Sequence, residues 1–357
     1  MSSITSIVDE INLKVETLNK PLIMNTGEIL IDKRTDKDEP KPWKEHKKNS
    51  LALADLIAEA KEQGYAGLLT DKRLEALYNC ADALIFANYQ DGSSRLARAN
   101  FCRNRICPMC QWRRSLKTFA QVSQVTEELL KRKPDTQFLF LTLTIKNVSA
   151  KDLTSALDML NKGLLYLLAS KNKRELKQLK EFKTKCLVGY IKAIEVTYNS
   201  KDNTFHPHIH CIIAVSKNYF NDSKLYINQS KWRMYWQKCL DTDYLPLVNV
   251  KRIKITTKFE YKAIAEISKY PCKPFLVLKL DFQIAIEVLQ TFIKALHKRR
   301  FISYCGLFDE IHKYLKLKDV EDEAVDLVHT DDEDEPKLNI ISYTLYRYKS
   351  VAGCYIC

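Results

Sequence analysis

The sequence predicts an α+β fold, in which strands and helices are interleaved along the same stretch of chain. Residues 138–145 form a nearly continuous apolar run, which is typical of a strand buried inside a sheet. Residues 187–198 and 205–213 are rich in β-branched and aromatic side chains and flank the polar turn 199–203, so they predict an antiparallel hairpin. Residues 115–131 place apolar side chains on one stripe, as in an amphipathic helix.

Composition favours a soluble protein with a polyanionic partner. Lysine and arginine number 57 against 44 acidic residues, which gives a net charge of +13, but this charge does not separate DNA from RNA or from a membrane surface. The 11 cysteines are an odd number, so a complete set of intrachain disulfides is excluded. The N-terminus shows no signal peptide and no run of about 18 apolar residues occurs, so we expect a reducing, cytoplasmic location.

Changes in composition along the chain predict four regions. The polar, charged N-terminus is expected to be a flexible leader, and a helical pattern follows from about residue 51 to residue 85. The acidic run 331–335 is expected to be solvated and receives no chemical role. The predicted regions are a leader (1–48), a helical, cysteine-rich zinc-binding and nucleic-acid-contact region (49–132), a strand-rich catalytic core (133–317), and an acidic segment with a C-terminal tail (318–357).

Clustered cysteines predict a structural zinc site. Cys102, Cys107 and Cys110 fall within nine residues, and Cys80 lies upstream beyond a polar turn. Tetrahedral zinc prefers four soft ligands, and a Cys-x2-Cys pair is the usual core of such a site. The alternative is that these are ordinary buried thiols, and it carries most weight for Cys80, whose spacing is unconstrained.

The cysteine segment is also strongly basic. No acidic residue occurs between residues 92 and 126. Arginines beside an indole suit phosphate contacts combined with base stacking, so we expect a nucleic-acid contact here rather than only a solvated charged face. The predicted contact residues are Arg103, Arg105, Trp112, Arg113 and Arg114.

A row of histidines predicts a second metal site. His206, His208 and His210 alternate along the predicted strand, so they share one face and lie about 6.6 Å apart along the backbone. Three of the seven histidines of the chain are concentrated here, which argues against a chance row of solvated imidazoles. The hairpin brings Glu195 beside His208 and His210, which would complete a two-histidine, one-carboxylate site. A cross-strand salt bridge of Glu195 with a lysine, and His206 as the third ligand, remain alternatives.

A candidate nucleophile lies farther along the chain. Glu266 and Tyr270 are four residues apart on a predicted helix, so they share a face, and Pro271 ends the helix beside the phenol. A tyrosine can form a covalent intermediate, but its phenol has a pKa near 10 and needs help at neutral pH. Lys269 and Lys273 could supply that help or hold a phosphate. The alternative is a tyrosine that simply packs at a helix end.

These segments together resemble the rolling-circle replication initiators of small plasmids from Firmicutes and related bacteria, which belong to the His-hydrophobic-His (HUH) endonucleases. Each motif alone is modest, but their joint order and spacing are specific, and the resemblance covers about residues 74–317. The segments that carry it, in the family's order, are 102–114, 138–147, 194–197, 206–210, 266–273 and 300–306.

The resemblance implies a fold and a mechanism. The implied fold is a central antiparallel sheet flanked by helices, with Mg²⁺ or Mn²⁺ bound on its central strands by His208, His210 and a third ligand, assigned to Glu195. Tyr270 would attack a DNA phosphate, leaving a 5′-phosphotyrosine and a free 3′-hydroxyl that primes synthesis. Glu266 would activate a water for the terminating cleavage, because only one tyrosine occupies the nucleophile position.

The resemblance also implies partners and leaves rivals. The implied partners are the plasmid origin, as a double-stranded hairpin and a single-stranded nick site, together with a host helicase and the replication machinery; a homodimer is left open. A relaxase or a single-strand transposase would use the same chemistry, although relaxases usually place the tyrosine near the N-terminus. A zinc-containing DNA-binding repressor without catalysis would leave Glu195, His208, His210 and Tyr270 unexplained. A metal hydrolase acting on small molecules would leave the basic cysteine segment unexplained.

Overall fold

The computed structural model places Tyr270 and the acidic run 331–335 outside the residues it describes. The described residues form two compact units, each assembled from separated stretches of chain. The cysteine unit comprises Met1–Lys117, Pro274–Ile286 and Asp326–Cys357, and the histidine unit comprises Thr118–Lys273 and Glu287–Val325. The structure describes residues 18–30, 33–34, 37–40, 42–169, 177–253, 261–269, 271–322, 324–330 and 339–357.

Helices and strands are interleaved along the described chain, as predicted. None of the helices in the described ranges is long and apolar enough to cross a membrane. The strands are β1 Leu22–Ile23, β2 Lys33–Arg34, β3 Lys37–Pro40, β4 Ala83–Tyr89, β5 Ser94–Ala99, β6 Gln137–Thr144, β7 Leu187–Asn199, β8 Thr204–Val215, β9 Val248–Ile253, β10 Ile302–Gly306, β11 Ile340–Lys349 and β12 Cys354–Ile356. The α-helices are α1 Trp43–Glu62, α2 Asp71–Tyr78, α3 Pro108–Arg132, α4 Leu153–Leu164, α5 Lys177–Lys185, α6 Asn218–Asn221, α7 Gln229–Leu240, α8 Tyr261–Ile267, α9 Phe282–Leu296 and α10 Leu307–Tyr314.

The sheet of the cysteine unit is built from both ends of the chain. Its strand order is β1-β11-β4-β5, with β12 paired to β11. Its core contains the buried side chains of Ala83, Ile85, Ala87, Tyr343 and Leu345. The predicted helical pattern up to residue 85 is wrong at its end, because β4 begins at residue 83. A short apolar run fits a strand or a helix equally well by periodicity, and the partner strand β11 is remote in sequence.

Helix α1 begins inside the segment that we expected to be a flexible leader. Its first residue, Trp43, is only 2% exposed, and Lys47 and Ser50 on the same face are fully buried. These positions recur at intervals of three and four residues, as the buried face of a helix requires. The sequence pattern did not reveal the start of this helix because two of its buried positions, Lys47 and Ser50, carry polar side chains.

The sheet of the histidine unit positions the candidate metal ligands. Its strand order is β10-β7-β8-β6-β9, and every neighbouring pair is antiparallel. The predicted hairpin is confirmed as β7 and β8, and the predicted apolar strand is β6. One face of the sheet packs on Val122, Val125 and Leu129 of α3 and on Phe308 and Ile311 of α10. The α+β fold is therefore confirmed, with a second sheet that we did not predict.

Candidate metal centres and nucleic-acid interface

The predicted zinc ligands come together as four sulfur atoms. Cys80 follows α2, Cys102 and Cys107 lie between β5 and α3, and Cys110 is in the first turn of α3. The Sγ atoms of Cys80 and Cys110, of Cys102 and Cys110, and of Cys80 and Cys107 are each 3.6 Å apart. Tetrahedral zinc with Zn–S bonds of about 2.3 Å would separate its sulfur ligands by about 3.8 Å. The four cysteines therefore fit a closed zinc site.

Backbone N–H groups surround these sulfur atoms. Cys102 N–H donates to Cys80 Sγ at 3.4 Å, Arg103 N–H to Cys110 Sγ at 3.2 Å, and Asn104 N–H to Cys102 Sγ at 3.5 Å. Arg103 has a φ of 56°, a left-handed conformation that is uncommon outside glycine and that turns the loop around the sulfur atoms. N–H donors that point at sulfur stabilise the thiolate form, whereas burial raises the pKa of the Cys80 thiol. A bound cation would offset the effect of burial, so the cluster suits a metal.

Two of the predicted nucleic-acid contacts are engaged within the cysteine unit. Trp112 is 8% exposed, and its ring packs edge-on against that of Trp43 with the centroids 4.6 Å apart. Arg113 is 4% exposed and donates to the carbonyl oxygens of Leu327 at 2.9 Å and Val328 at 2.6 Å. Nucleic-acid contact by Trp112 and Arg113 stays a prediction, and their burial ties both side chains to the packing of this unit.

The other predicted contacts differ in exposure. Arg114 is buried and donates to the carbonyl oxygen of Arg103 at 3.0 Å. The side chain of Arg103 is exposed and that of Arg105 is half-buried, while Lys269 in the histidine unit is also exposed. Among these residues, Arg103 and Lys269 are the most accessible to a phosphate.

The predicted histidine site is assembled across β7 and β8. Glu195 on β7 lies directly opposite His208 on β8, and His210 is two residues farther along the same strand. The Oε2 atom of Glu195 is 3.4 Å from His208 Nε2 and 3.3 Å from His210 Nε2. One ligand atom from each of these residues lies within 4.8 Å of the others, which is the arrangement of a two-histidine, one-carboxylate metal site.

Hydrogen bonds on the far side of each imidazole orient its Nε2 atom toward Glu195. His208 Nδ1–H donates to the carbonyl oxygen of His206 at 3.2 Å, and His210 Nδ1 is 3.1 Å from the hydroxyl of Thr142. His210 Nε2 is buried and has no hydrogen-bond partner among the described residues. A histidine that binds a metal through one ring nitrogen is normally oriented by a hydrogen bond on the other. The buried Nε2 of His210, opposite the bond at Nδ1, therefore fits a metal ligand.

Glu195 is held ionised at this site. Burial disfavours its carboxylate, but the adjoining imidazoles of His208 and His210 outweigh burial and hold the pKa of Glu195 well below its usual range. His206 lies outside the group of ligand atoms, and its Nδ1 instead pairs with Asn147 Oδ1 at 2.9 Å. Of the two candidate third ligands, the structure places Glu195 with the histidine pair.

The segment around the candidate nucleophile approaches the same cluster. Glu266 Oε1 is 3.9 Å from His210 Nε2, and its Oε2 accepts a hydrogen bond from Lys269 Nζ at 2.5 Å. On the other side of Tyr270, the carbonyl oxygen of Pro271 accepts a hydrogen bond of 2.7 Å from Val196 N–H, next to Glu195. Lys273 is exposed.

Sequence reasoning missed several residues that support these clusters. Thr142 and Asn147 hold histidine rings, and the Ser50 hydroxyl lies 3.5 Å from Cys107 Sγ while accepting from Met109 N–H at 3.4 Å. For Thr142 the sequence offered one clue, because a polar residue interrupts the apolar strand 138–145. Ser50 carried no such clue.

Comparison with known proteins identifies the family. The family model described as "Replication protein" matches residues 93–356, which extends beyond the expected limit at residue 317. The chain is 38% identical over 312 residues to "Protein rep" of Streptococcus pneumoniae, covering 87% of this chain and 90% of the relative. It is 35% identical over 316 residues to "Protein rep" of Lactiplantibacillus plantarum (87% and 92%) and 34% identical over 333 residues to "Protein rep" of Bacillus amyloliquefaciens (88% and 93%). No solved structure gives a significant match. The chain belongs to the replication protein family and is a plasmid replication initiator.

Proposed function

We propose that this initiator makes a metal-dependent, site-specific single-strand nick at the plasmid origin by tyrosine transesterification, as an HUH endonuclease. The observation that carries the proposal is the cluster of Glu195, His208 and His210 on the central strands of an antiparallel sheet, with Glu266 beside it. A replication protein without catalysis would have no need for two orientated imidazoles and an ionised carboxylate at one point of a sheet.

The metal would be held by His208 Nε2, His210 Nε2 and the carboxylate of Glu195. When bound, Mg²⁺ or Mn²⁺ would polarise the scissile phosphate and stabilise the negative charge that develops in the transition state. Imidazole ligands favour later transition metals by affinity, so the choice of cation follows from availability rather than from ligand type.

Tyr270 is the proposed nucleophile. Its phenolic oxygen would form a bond to phosphorus as the bond from phosphorus to the 3′-oxygen breaks. The phenol loses its proton and the 3′-oxygen gains one, which gives a 5′-phosphotyrosine and a free 3′-hydroxyl primer. Lys269 and Lys273 would favour the phenolate or hold the phosphate. The positions of Lys269 and Pro271, on either side of Tyr270 in the chain, support this assignment.

Glu266 is the proposed base for termination. It would accept a proton from the water that attacks the second scissile phosphate, after which the 3′-hydroxyl attacks the phosphotyrosine and rejoins the strand. The position of its carboxylate, 3.9 Å from His210 Nε2 and paired with Lys269, supports this role. Because hydrolysis leaves the second 5′ end as a free phosphate, rejoining releases Tyr270 from the DNA without a new covalent link, so the same protein would not pass directly into a further round.

The cysteine unit is proposed to bind structural zinc and to contact origin DNA. Cys80, Cys102, Cys107 and Cys110 would hold the zinc, and the exposed Arg103 with the half-buried Arg105 would lie at the DNA. The zinc would fix the loop that carries both arginines, because that loop lies between two zinc ligands. A host helicase, the replication machinery and a second copy of the chain are the further partners that we propose.

Nicking of labelled DNA tests the proposal. Single-stranded oligonucleotides that tile the plasmid origin, labelled at the 5′ or the 3′ end, are incubated with the protein and Mn²⁺ and separated on a denaturing gel. We expect the 3′-labelled product to migrate as a covalent protein complex and the 5′-labelled product to be free. The complex should vanish with Tyr270→Phe, while duplex binding remains.

A second tyrosine provides the matched control. Tyr198 lies on β7 near Glu195, and its hydroxyl donates to Asn203 Oδ1 at 2.9 Å. Tyr198→Phe should therefore form the covalent complex at the wild-type level. Tight binding of origin DNA by the wild type without any covalent species would instead establish a non-catalytic DNA-binding protein, and 3′ attachment would exclude the proposed chemistry.

A further inference from the structure

We propose that Lys47 is a positioning residue that fixes Cys80 as the fourth ligand of the zinc site. The inference rests on the proposed zinc site and adds to it a residue from the segment that the sequence predicted to be a flexible leader. Cys80 is the ligand that most needs such help, because Cys102, Cys107 and Cys110 belong to one short stretch and Cys80 does not.

Lys47 is a buried cation whose hydrogen bonds all go to the turn that carries Cys80. Its side chain is fully buried, and its Nζ donates to the carbonyl oxygens of Tyr78 at 2.7 Å and Cys80 at 3.0 Å and to Asp82 Oδ1. An ammonium has three donors, so each of them has an acceptor in the turn. Burying an ammonium is costly unless it is fully paired, and an apolar side chain would fill the same space without that cost. The hydrogen bonds that the Lys47 ammonium makes to the turn therefore explain why a charged side chain is buried at this position.

The rest of the turn is also fixed by hydrogen bonds. The Asn100 side chain donates to the carbonyl oxygen of Asn79, and the Tyr355 hydroxyl donates to that of Ala81 at 2.8 Å. With the two bonds from Lys47, the carbonyl oxygens of residues 78 to 81 are each held by a side chain. Ala81 has a φ of 57°, a left-handed conformation that a non-glycine residue adopts only where its surroundings enforce it. Lys47 supplies two of the bonds that enforce it.

A turn held in this way presents Cys80 Sγ to the other sulfur atoms before the metal binds. Without Lys47, Cys80 would have to be ordered at the moment of binding, which lowers metal affinity and speeds metal loss. Groups that orient metal ligands typically contribute 10- to 100-fold to metal affinity. We therefore expect Lys47→Met, which keeps the length of the side chain and removes its donors, to speed zinc release by about tenfold or more.

The experiment measures transfer of zinc from the purified full chain to a chromogenic chelator. Lys61 provides the matched control, because it lies on the same helix and its Nζ also donates to a backbone carbonyl, that of Leu69 at 3.0 Å, and to a carboxylate, that of Asp71. Lys61→Met likewise removes a bond to a backbone carbonyl and a bond to a carboxylate, but away from the cysteines, so its zinc release should match the wild type. The wild type should carry one zinc per chain.

Cobalt substitution gives a readout that general destabilisation does not change. Absorption bands of Co²⁺ in a four-thiolate site depend on the number of sulfur ligands and on the symmetry of the site. The Lys47→Met chain should show weaker charge-transfer absorption per bound Co²⁺ than the wild type or Lys61→Met.

Four outcomes would overturn the inference. Zinc release from Lys47→Met at the wild-type rate, or equal acceleration in Lys61→Met, would remove the positioning role and leave the zinc site intact. If the wild type binds no zinc, the zinc site itself fails. Should Lys47→Met not fold, Asp82→Asn decides, because the Asp82 side chain is 40% exposed and the variant weakens only one of the three bonds. Faster release from Asp82→Asn supports the role of Lys47, and unchanged release overturns it.

Discussion

The two ligand clusters of this protein differ in what encloses their ligand atoms. The cysteine cluster has four sulfur ligands, and backbone N–H groups surround them. The histidine cluster brings together three ligand atoms among the described residues, and the half-buried carboxylate of Glu266 lies 3.9 Å from one of them, His210 Nε2. A closed set of four thiolates suits a metal that stabilises structure, whereas three ligands leave positions for substrate oxygens. On the proposed function, the cysteine cluster would stabilise the fold and the histidine cluster would carry the chemistry.

The largest expected effect separates the clusters by activity. His208→Ala removes one of the two imidazoles and should lower the rate of nicking by about 10³-fold or more, since metal stabilisation of transition-state charge contributes several kcal/mol. The zinc content of the purified chain should stay at the wild-type value. Initial rates on a labelled origin oligonucleotide and metal analysis of the same preparation measure both quantities. A variant that loses zinc together with activity would contradict the division of roles.

The converse change should act on stability. Cys107→Ser removes one thiolate from the closed cluster and should release the zinc, lower solubility and weaken duplex binding. Loss of a structural metal belongs to the few changes that lower the free energy of unfolding by about 4 kcal/mol or more. Denaturant titration monitored by circular dichroism measures this, with Cys239→Ser, a cysteine outside the cluster, as the control. An unchanged unfolding midpoint for Cys107→Ser would show that the cysteines serve another purpose.

Glu266 tests whether the open side of the histidine cluster carries a second chemical step. Glu266→Ala should leave the first nick largely intact and slow the terminating hydrolysis by about 10²-fold, the lower range for a general base. The covalent complex would then accumulate on a substrate with two nick sites. Quantifying that complex over time on a denaturing gel measures the effect, and Glu287→Ala on α9 is the control. Equal loss of both cleavages would make Glu266 part of the first step instead.

Local sequence patterns predicted the ligands, and long-range packing determined what the patterns missed. Glu195 and His208 were predicted to be neighbours because one short hairpin sets their register, and the antiparallel pairing of β7 with β8 places them opposite each other. The sheet that pairs β4 with β11 was missed, because these two strands are far apart in the sequence. The first two turns of α1 were missed because Lys47 and Ser50 are polar and yet buried.

The smallest expected effect concerns Thr142, which β6 carries into the site opposite His210. Thr142→Val keeps the shape of the side chain but removes the hydroxyl that lies 3.1 Å from His210 Nδ1. Affinity for Mn²⁺ should fall about tenfold, at the lower end for the loss of a group that orients a metal ligand. Calorimetric titration of the zinc-loaded chain with Mn²⁺ measures this, and Thr142→Ser should restore the affinity because it returns the hydroxyl. If the valine and serine variants have the same affinity for Mn²⁺, packing rather than the hydrogen bond orients His210. The Phe140 ring, which stacks on the His210 ring with the centroids 5.4 Å apart, would then be the group that holds it.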